Sequence, residues 1–145
     1  MSLDGPYDPA NVFARVLRGE LPAHKVWEDD VVLAFMDLFP QSRGHVLVIS
    51  KASRARNLLE VSPEHLQGLM LGVQRTARAV RAALQPDGIV VTQFNGAAAG
   101  QTVFHLHVHV IPRWEGEPLQ RHAGGAPADA AELAALARAI GAQLS

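Results

Sequence analysis

The sequence predicts an α+β fold, an antiparallel five-stranded sheet with helices on one side. Three observations carry this. Residues 104–110, Phe-His-Leu-His-Val-His-Val, alternate histidine and apolar side chains at the period of a β-strand. Four further short apolar runs are bounded by turn residues, which suits strands joined by tight connections. A longer stretch behind Ser62-Pro63-Glu64 spaces its apolar residues three and four apart, the period of a helix packed on a sheet.

Each element has its own signals. Asp8-Pro9 reads as an N-cap followed by proline at the first helical position, opening a short helix that Gly19 stops. Val12, Phe13, Val16 and Leu17 form its stripe. Lys25–Glu28 and Val31–Phe35 read as two strands around the Asp29-Asp30 turn, and His45–Ser50 as a third, apolar enough to be central. Ser62 caps the longest helix, whose stripe is Leu66, Leu69, Met70, Val73, Ala77, Val80 and Leu84; Arg75, Arg78 and Arg81 belong to a solvated face. Gln85-Pro86-Asp87-Gly88 ends it. Ile89–Phe94 is the fourth strand, Asn95–Gly100 a small-residue loop, and the histidine stretch the fifth strand. Residues 113–126 read as irregular. Asp129-Ala-Ala-Glu132 resembles a capping box before a last helix carrying Leu133, Leu136, Ala137, Ile140 and Leu144. The whole, 1–145, is read as one domain, with a motif-bearing core at about 9–114 and a C-terminal segment at 115–145.

Composition narrows the function classes. A net charge of −1 over 145 residues supplies no bulk attraction to nucleic acid or anionic lipid. No apolar run reaches the roughly 18 residues of a membrane span, and the first residues lack the basic and apolar regions of a signal peptide. The lack of cysteine excludes disulfides and thiolate metal sites and fits a cytoplasmic protein.

His105, His107 and His109 carry the chemistry. Alternation puts them on one strand face, neighbours roughly 7 Å apart, with Phe104, Leu106, Val108 and Val110 turned to the core. Three imidazoles at strict alternation are hard to assign to chance. Two functional readings stand beside each other. A His-x-His pair on a strand can donate two nitrogens to zinc, with His45 or a carboxylate completing the set. Alternatively, a neutral imidazole is a nucleophile near neutral pH, and crowded imidazoles resist joint protonation, so one ring attacks phosphorus while a neighbour assists the leaving group. The Gly100-Gln101-Thr102 turn would then offer donors to phosphate oxygens.

The stretch His105-Leu-His107-Val-His109-Val-Ile resembles the motif of the histidine triad (HIT) family, in which three histidines alternate with apolar residues. The resemblance extends to Val12-Phe13, Arg18–Ala23, Glu28-Asp29-Asp30, Ala34–Asp37, Gly44–Lys51, Asn95–Gln101 and Val110–Arg113. It implies a homodimer with the sheet extended across it, and a hydrolase or transferase without a cofactor. The substrate class implied is purine nucleotide conjugates (AMP or GMP joined to an amine, a second nucleotide or sulfate), cleaved at the α-phosphate through a covalent nucleotidyl-histidine. By this resemblance His107 is the nucleophile, His109 assists the leaving atom, His105 orients His107 partly through its carbonyl, and His45 lies close to the triad. Asp37 matches the acid that holds the ribose hydroxyls. Asn95, Gln101 and Thr102 match positions near the phosphate and leaving group. Phe13, Val16, Phe35 and Leu38 match a base pocket.

There are departures from the family pattern. Bacterial relatives with a structural zinc carry Cys-x-Phe-Cys in the first helix; Asn11-Val12-Phe13-Ala14 stands here, so no such zinc is expected. Ala97-Ala98-Ala99 leaves the loop before Gln101 without an acid or amide side chain. Gln101-Thr102-Val103 and Pro112-Arg113 resemble the dinucleoside-polyphosphate branch, the first helix the phosphoramidase branch. Trp114 either meets the leaving group or partner subunit or packs a loop. Besides the enzyme, two other classes are compatible with the motif, a nucleotide-sensing or partner-binding protein with little turnover, and a metal-dependent hydrolase.

Overall fold

The computed structural model describes residues 2–119 and 127–145. Its elements are α1 (Val12–Leu17), β1 (Lys25–Glu28), β2 (Val32–Met36), β3 (Val46–Ser50), α2 (Pro63–Leu84), β4 (Gly88–Thr92), β5 (His107–Arg113) and α3 (Ala130–Gly141), with a short 3-10 turn at Ala97–Ala99. The five strands form one antiparallel sheet in the order β1-β2-β3-β5-β4, with β3 at its centre as its unbroken apolar run predicts. Residues 120–126, part of the stretch expected to be irregular, lie outside the described residues.

Strand alternation divides the side chains into two layers. Val32, Ala34 and Met36 of β2, Val46 and Val48 of β3, and Val108 and Val110 of β5 face α2 and α3. Leu33, Phe35, Leu47 and Ile49 face the opposite way, where Phe13 and Val16 of α1 pack on them. The two long helices thus share one side, and the short α1 crosses the other. Register then decides the position of the histidines: His107 pairs with Ile49 and His109 with Leu47, so both rings join the α1 layer.

Four details differ from the expectation. Asp8-Pro9 does not cap α1. The Asp8 carbonyl accepts from both the Asn11 backbone and its amide, forming a turn, and Asn11 Oδ1 accepts from Ala14 N at 2.9 Å instead. Val12 is consequently exposed, and the buried stripe is Phe13, Ala14 and Val16. The fifth strand starts at His107, not before it: Leu106 N donates to Ala55 O in the loop after β3, where no strand partner remains. Phe104 therefore does not enter the core but lies under the Arg56 guanidinium, 4.9 Å from its centroid.

On α2 the expected Leu69, Val73 and Val80 are buried and Ala77 and Leu84 pack against the core, but the buried face is wider on one side and excludes Met70. Leu69, Gly72, Val73, Thr76, Ala79 and Val80 are buried, and Met70 is exposed. Small residues explain this: a Cβ at Gly72 would come within 2.8 Å of Val32 Cγ2, so the helix approaches the sheet along its Gly72–Ala79 line. Thr76 on that line accepts the Trp27 indole N–H at 2.9 Å and donates to Gly72 O. Arg75 is not simply solvated; it stacks over Trp27 at 4.5 Å. The Asp129 cap holds as expected, accepting from Glu132 N, and Leu133, Leu136, Ala137 and Ile140 are buried.

Candidate active site

The α1 layer leaves a cavity of about 470 Å³ between helix, sheet and histidines. Phe13, Val16, Phe35 and Leu38 all line it. Asp37, Thr102, His107 and His109 line it as well. Leu47, Phe39 and Val103 also line it and were not anticipated. No signal for them exists in the sequence, because a pocket wall and a core position draw on the same apolar residues.

The hydrogen bonds define which ring nitrogen carries each proton. His107 Nδ1 lies 2.7 Å from the His105 carbonyl, which can only accept, so Nδ1 holds the proton and Nε2 carries a lone pair. His45 is fully buried, and its Nδ1 accepts from Gln41 N at 3.0 Å. In the neutral ring the proton is then on Nε2, 2.9 Å from His109 Nδ1 and 3.4 Å from Asp37 Oδ2. Donation to His109 Nδ1 leaves the His109 proton on Nε2. One ring of the triad therefore presents a nucleophilic nitrogen, and its neighbour, 5.0 Å away between centroids, presents a donor. Gly44 makes the entry to β3 with φ +92, a backbone state that suits glycine, and so delivers His45 to this chain.

His105 precedes the strand yet stays near its partners through Phe13, whose ring stands edge-on to both His105 and His107. Burial, reinforced by the neighbouring His107, lowers its pKa from 6.5 to about 4, while a hydrogen bond to the Ser50 backbone acts the other way. The ring is neutral at physiological pH. Phe94 also packs on His109, at 5.3 Å.

Asp37 is buried at the cavity wall, its Oδ1 accepting from Phe39 N at 2.8 Å. Asn95 and Gln101 do not line the cavity. Gln101 accepts from Gly96 N and donates to the carbonyls of Arg56 and Val103, so both ends of its amide brace the loop. Asn95 Oδ1 accepts from Leu58 N and the Gln93 amide. Trp114 lies away from the cavity, in a separate polar hollow with Gln41, Arg43, Arg113 and Glu117. Among the described residues, Asp37, His45 and His109 are the group whose donor atoms, all within 4.8 Å of one another, have the spacing for a metal ion. Those atoms are already joined to each other by the contacts above, which a cation would have to replace.

An antiparallel α+β domain with alternating histidines on the floor of an apolar cavity is the class that this fold and site define. A family model, the HIT domain, matches residues 18–116, and the chain belongs to the HIT family. A solved structure, a Hit-like protein involved in cell-cycle regulation from Bartonella henselae, superposes with TM-score 0.90 at 46% identity, covering 97% of this chain and 100% of that one. A hypothetical histidine triad nucleotide-binding protein from Sulfolobus tokodaii gives TM-score 0.81 at 31% identity over 90% and 89%. The adenylylsulfatase HINT3 of Arabidopsis thaliana is 36% identical over 133 residues, 88% of this chain and 67% of that protein. Among the described residues no helix is long and apolar enough to cross a membrane.

Proposed function

We propose that the chain hydrolyses, or transfers the nucleotidyl group of, purine nucleotide conjugates at the α-phosphate, with His107 as the nucleophile. The observation that carries this is the 2.7 Å bond from His107 Nδ1 to the His105 carbonyl, which puts the ring proton on Nδ1 and the nucleophilic lone pair on Nε2 in a ring that lines an apolar cavity. The nucleotide-binding and adenylylsulfatase names of two relatives support the substrate class.

The chemistry follows from the protons. His107 Nε2 forms a bond to phosphorus as the bond from phosphorus to the leaving group breaks, the electron pair departing with the leaving group. His109 Nε2–H donates a hydrogen bond to the phosphoryl oxygen or the departing atom, where negative charge grows. The intermediate is an imidazolium. The His105 carbonyl stabilises its Nδ1–H, and the neutral His105 ring adds no second positive charge. Water then attacks phosphorus, the Nε2–P bond breaks, and the water proton passes to solvent. The purine fills the cavity between Phe13, Val16, Phe35 and Leu38, and Asp37 takes the ribose hydroxyls. Thr102 lines the same cavity and suits a phosphate oxygen. The braces made by Asn95 and Gln101 suit a supporting role. The proposal includes a cytoplasmic homodimer, for which β4, an outer strand of the sheet with Val91 exposed, offers the joining edge.

Single-turnover mixing with an adenosine phosphoramidate and with a diadenosine polyphosphate, followed by intact-mass detection, tests this. Wild type should gain one nucleotide and then release AMP; His107→Asn should gain none and lose at least about 10³-fold in turnover. Tight nucleotide binding with no adduct and no turnover would refute the catalytic reading and leave a nucleotide sensor.

A further inference from the structure

The N-terminal residues before α1 are outside the stretch matched by the family model, yet they reach the triad. Leu3 O accepts from the amide of Asn57, a fully buried side chain. Residues 2 and 3 lie against the Gly96 turn, where a Cβ would come within 3.2 Å of both Ser2 Oγ and Leu3 Cδ2. From there the chain brings the half-buried Tyr7 to the site. Its hydroxyl is 2.8 Å from His105 Nδ1, and Arg54 covers the outer face of its ring at 5.0 Å.

The proton on this contact can be assigned. Each imidazole nitrogen makes one in-plane hydrogen bond. With Nδ1 facing Tyr7, the bond to the Ser50 backbone belongs to the other nitrogen; since that bond favours the protonated ring, the ring is its donor. The neutral ring then has its proton on Nε2, and Nδ1 accepts from the Tyr7 O–H. The same residue's carbonyl holds His107 Nδ1. Tyr7, His105 and His107 are therefore linked in series, and the position of the nucleophile depends on a residue about a hundred positions away in the chain.

We propose that Tyr7 is a positioning residue of this site, its hydroxyl fixing the His105 ring and, through the His105 carbonyl, the orientation of the His107 nucleophile. This rests on the nucleotidyl-transfer reading above for its kinetic part alone. Removing the hydroxyl leaves a buried Nδ1 acceptor with no donor and lets the His105 residue rotate. Substrate contacts at the cavity are untouched, because Tyr7 does not line it.

The test is Tyr7→Phe, which keeps the ring under Arg54 and removes one oxygen. With adenosine phosphoramidate, kcat should fall about tenfold while KM stays within about twofold, the signature of lost orientation rather than lost binding. In long-range ¹H–¹⁵N spectra of the free proteins, the His105 Nδ1 resonance should move away from its hydrogen-bonded position in the variant. An unchanged kcat, a fall accounted for by a lowered unfolding temperature, or a His105 spectrum identical to wild type would overturn the proposal. If wild type does not turn the substrate over, the catalytic reading fails, and the spectra still decide whether Tyr7 sets the His105 tautomer.

Discussion

Acid should destabilise this protein through His105, and the size of the effect follows from its surroundings. The ring is 2% exposed and lies beside His107; its pKa falls from 6.5 to about 4. Between those values the unfolded chain binds a proton that the folded one refuses, so stability rises with pH across that window and is lost as pH falls through it. Above the unfolded value both states are neutral and the term is flat. Over the whole window the gap is worth about 3.4 kcal/mol, at about 1.4 kcal/mol per pH unit, and at pH 4.5 about 2.5 kcal/mol of it is expressed. Urea unfolding of wild type and His105→Gln at pH 7.5 and pH 4.5 isolates the term, since the other titrating groups contribute to both proteins. With a urea slope of about 2 kcal/mol per molar, the wild-type midpoint should drop about 1 M further than that of the variant. Equal drops in the two proteins would refute the argument that burial holds His105 neutral.

Three other outcomes are expected. Thr76→Val keeps the side-chain volume but leaves the Trp27 indole N–H without its acceptor, and should cost about 1 to 3 kcal/mol in urea unfolding with little change in nucleotide affinity. Val16→Trp fills the apolar end of the cavity and should raise KM for adenosine conjugates at least about tenfold with kcat much less affected; calorimetric titration with AMP checks the same loss in binding. Incubation with EDTA should leave turnover unchanged, because the proposed steps run through imidazoles; loss of activity restored by zinc would instead assign Asp37, His45 and His109 to a metal.

Local pattern in the sequence was enough for the elements and for the chemistry of the triad. Strand alternation is set by the backbone, so the period of His107 and His109 against Val108 and Val110 already placed the rings opposite the core. Ser62 and Asp129 announced the starts of α2 and α3, because a cap is a bond between residues three apart. Signals of this kind failed where two local options competed. Asp8-Pro9 and Asn11 both offer caps, and the turn formed by the Asp8 carbonyl chose Asn11. The apolar stripe of α2 marks Leu69, Val73 and Val80 but not the row of Gly72, Thr76 and Ala79 beside it, because closeness to Val32 rewards Gly72, which adds nothing to an apolar stripe.

What the sequence by itself determined is an antiparallel sheet, its long helices, and a histidine strand whose motif names its family. Only the tertiary structure decided which nitrogen of each histidine holds a proton. That depends on Gln41 N meeting His45, on His45 meeting His109 across 64 residues, and on Tyr7 meeting His105 across 98. The physical reason is range. Caps and periods are bonds and angles between near neighbours, and residue types reveal them. A tautomer is set by whichever donor or acceptor the folded chain brings to a ring, and a backbone N–H or carbonyl in that role looks the same at every position of the sequence.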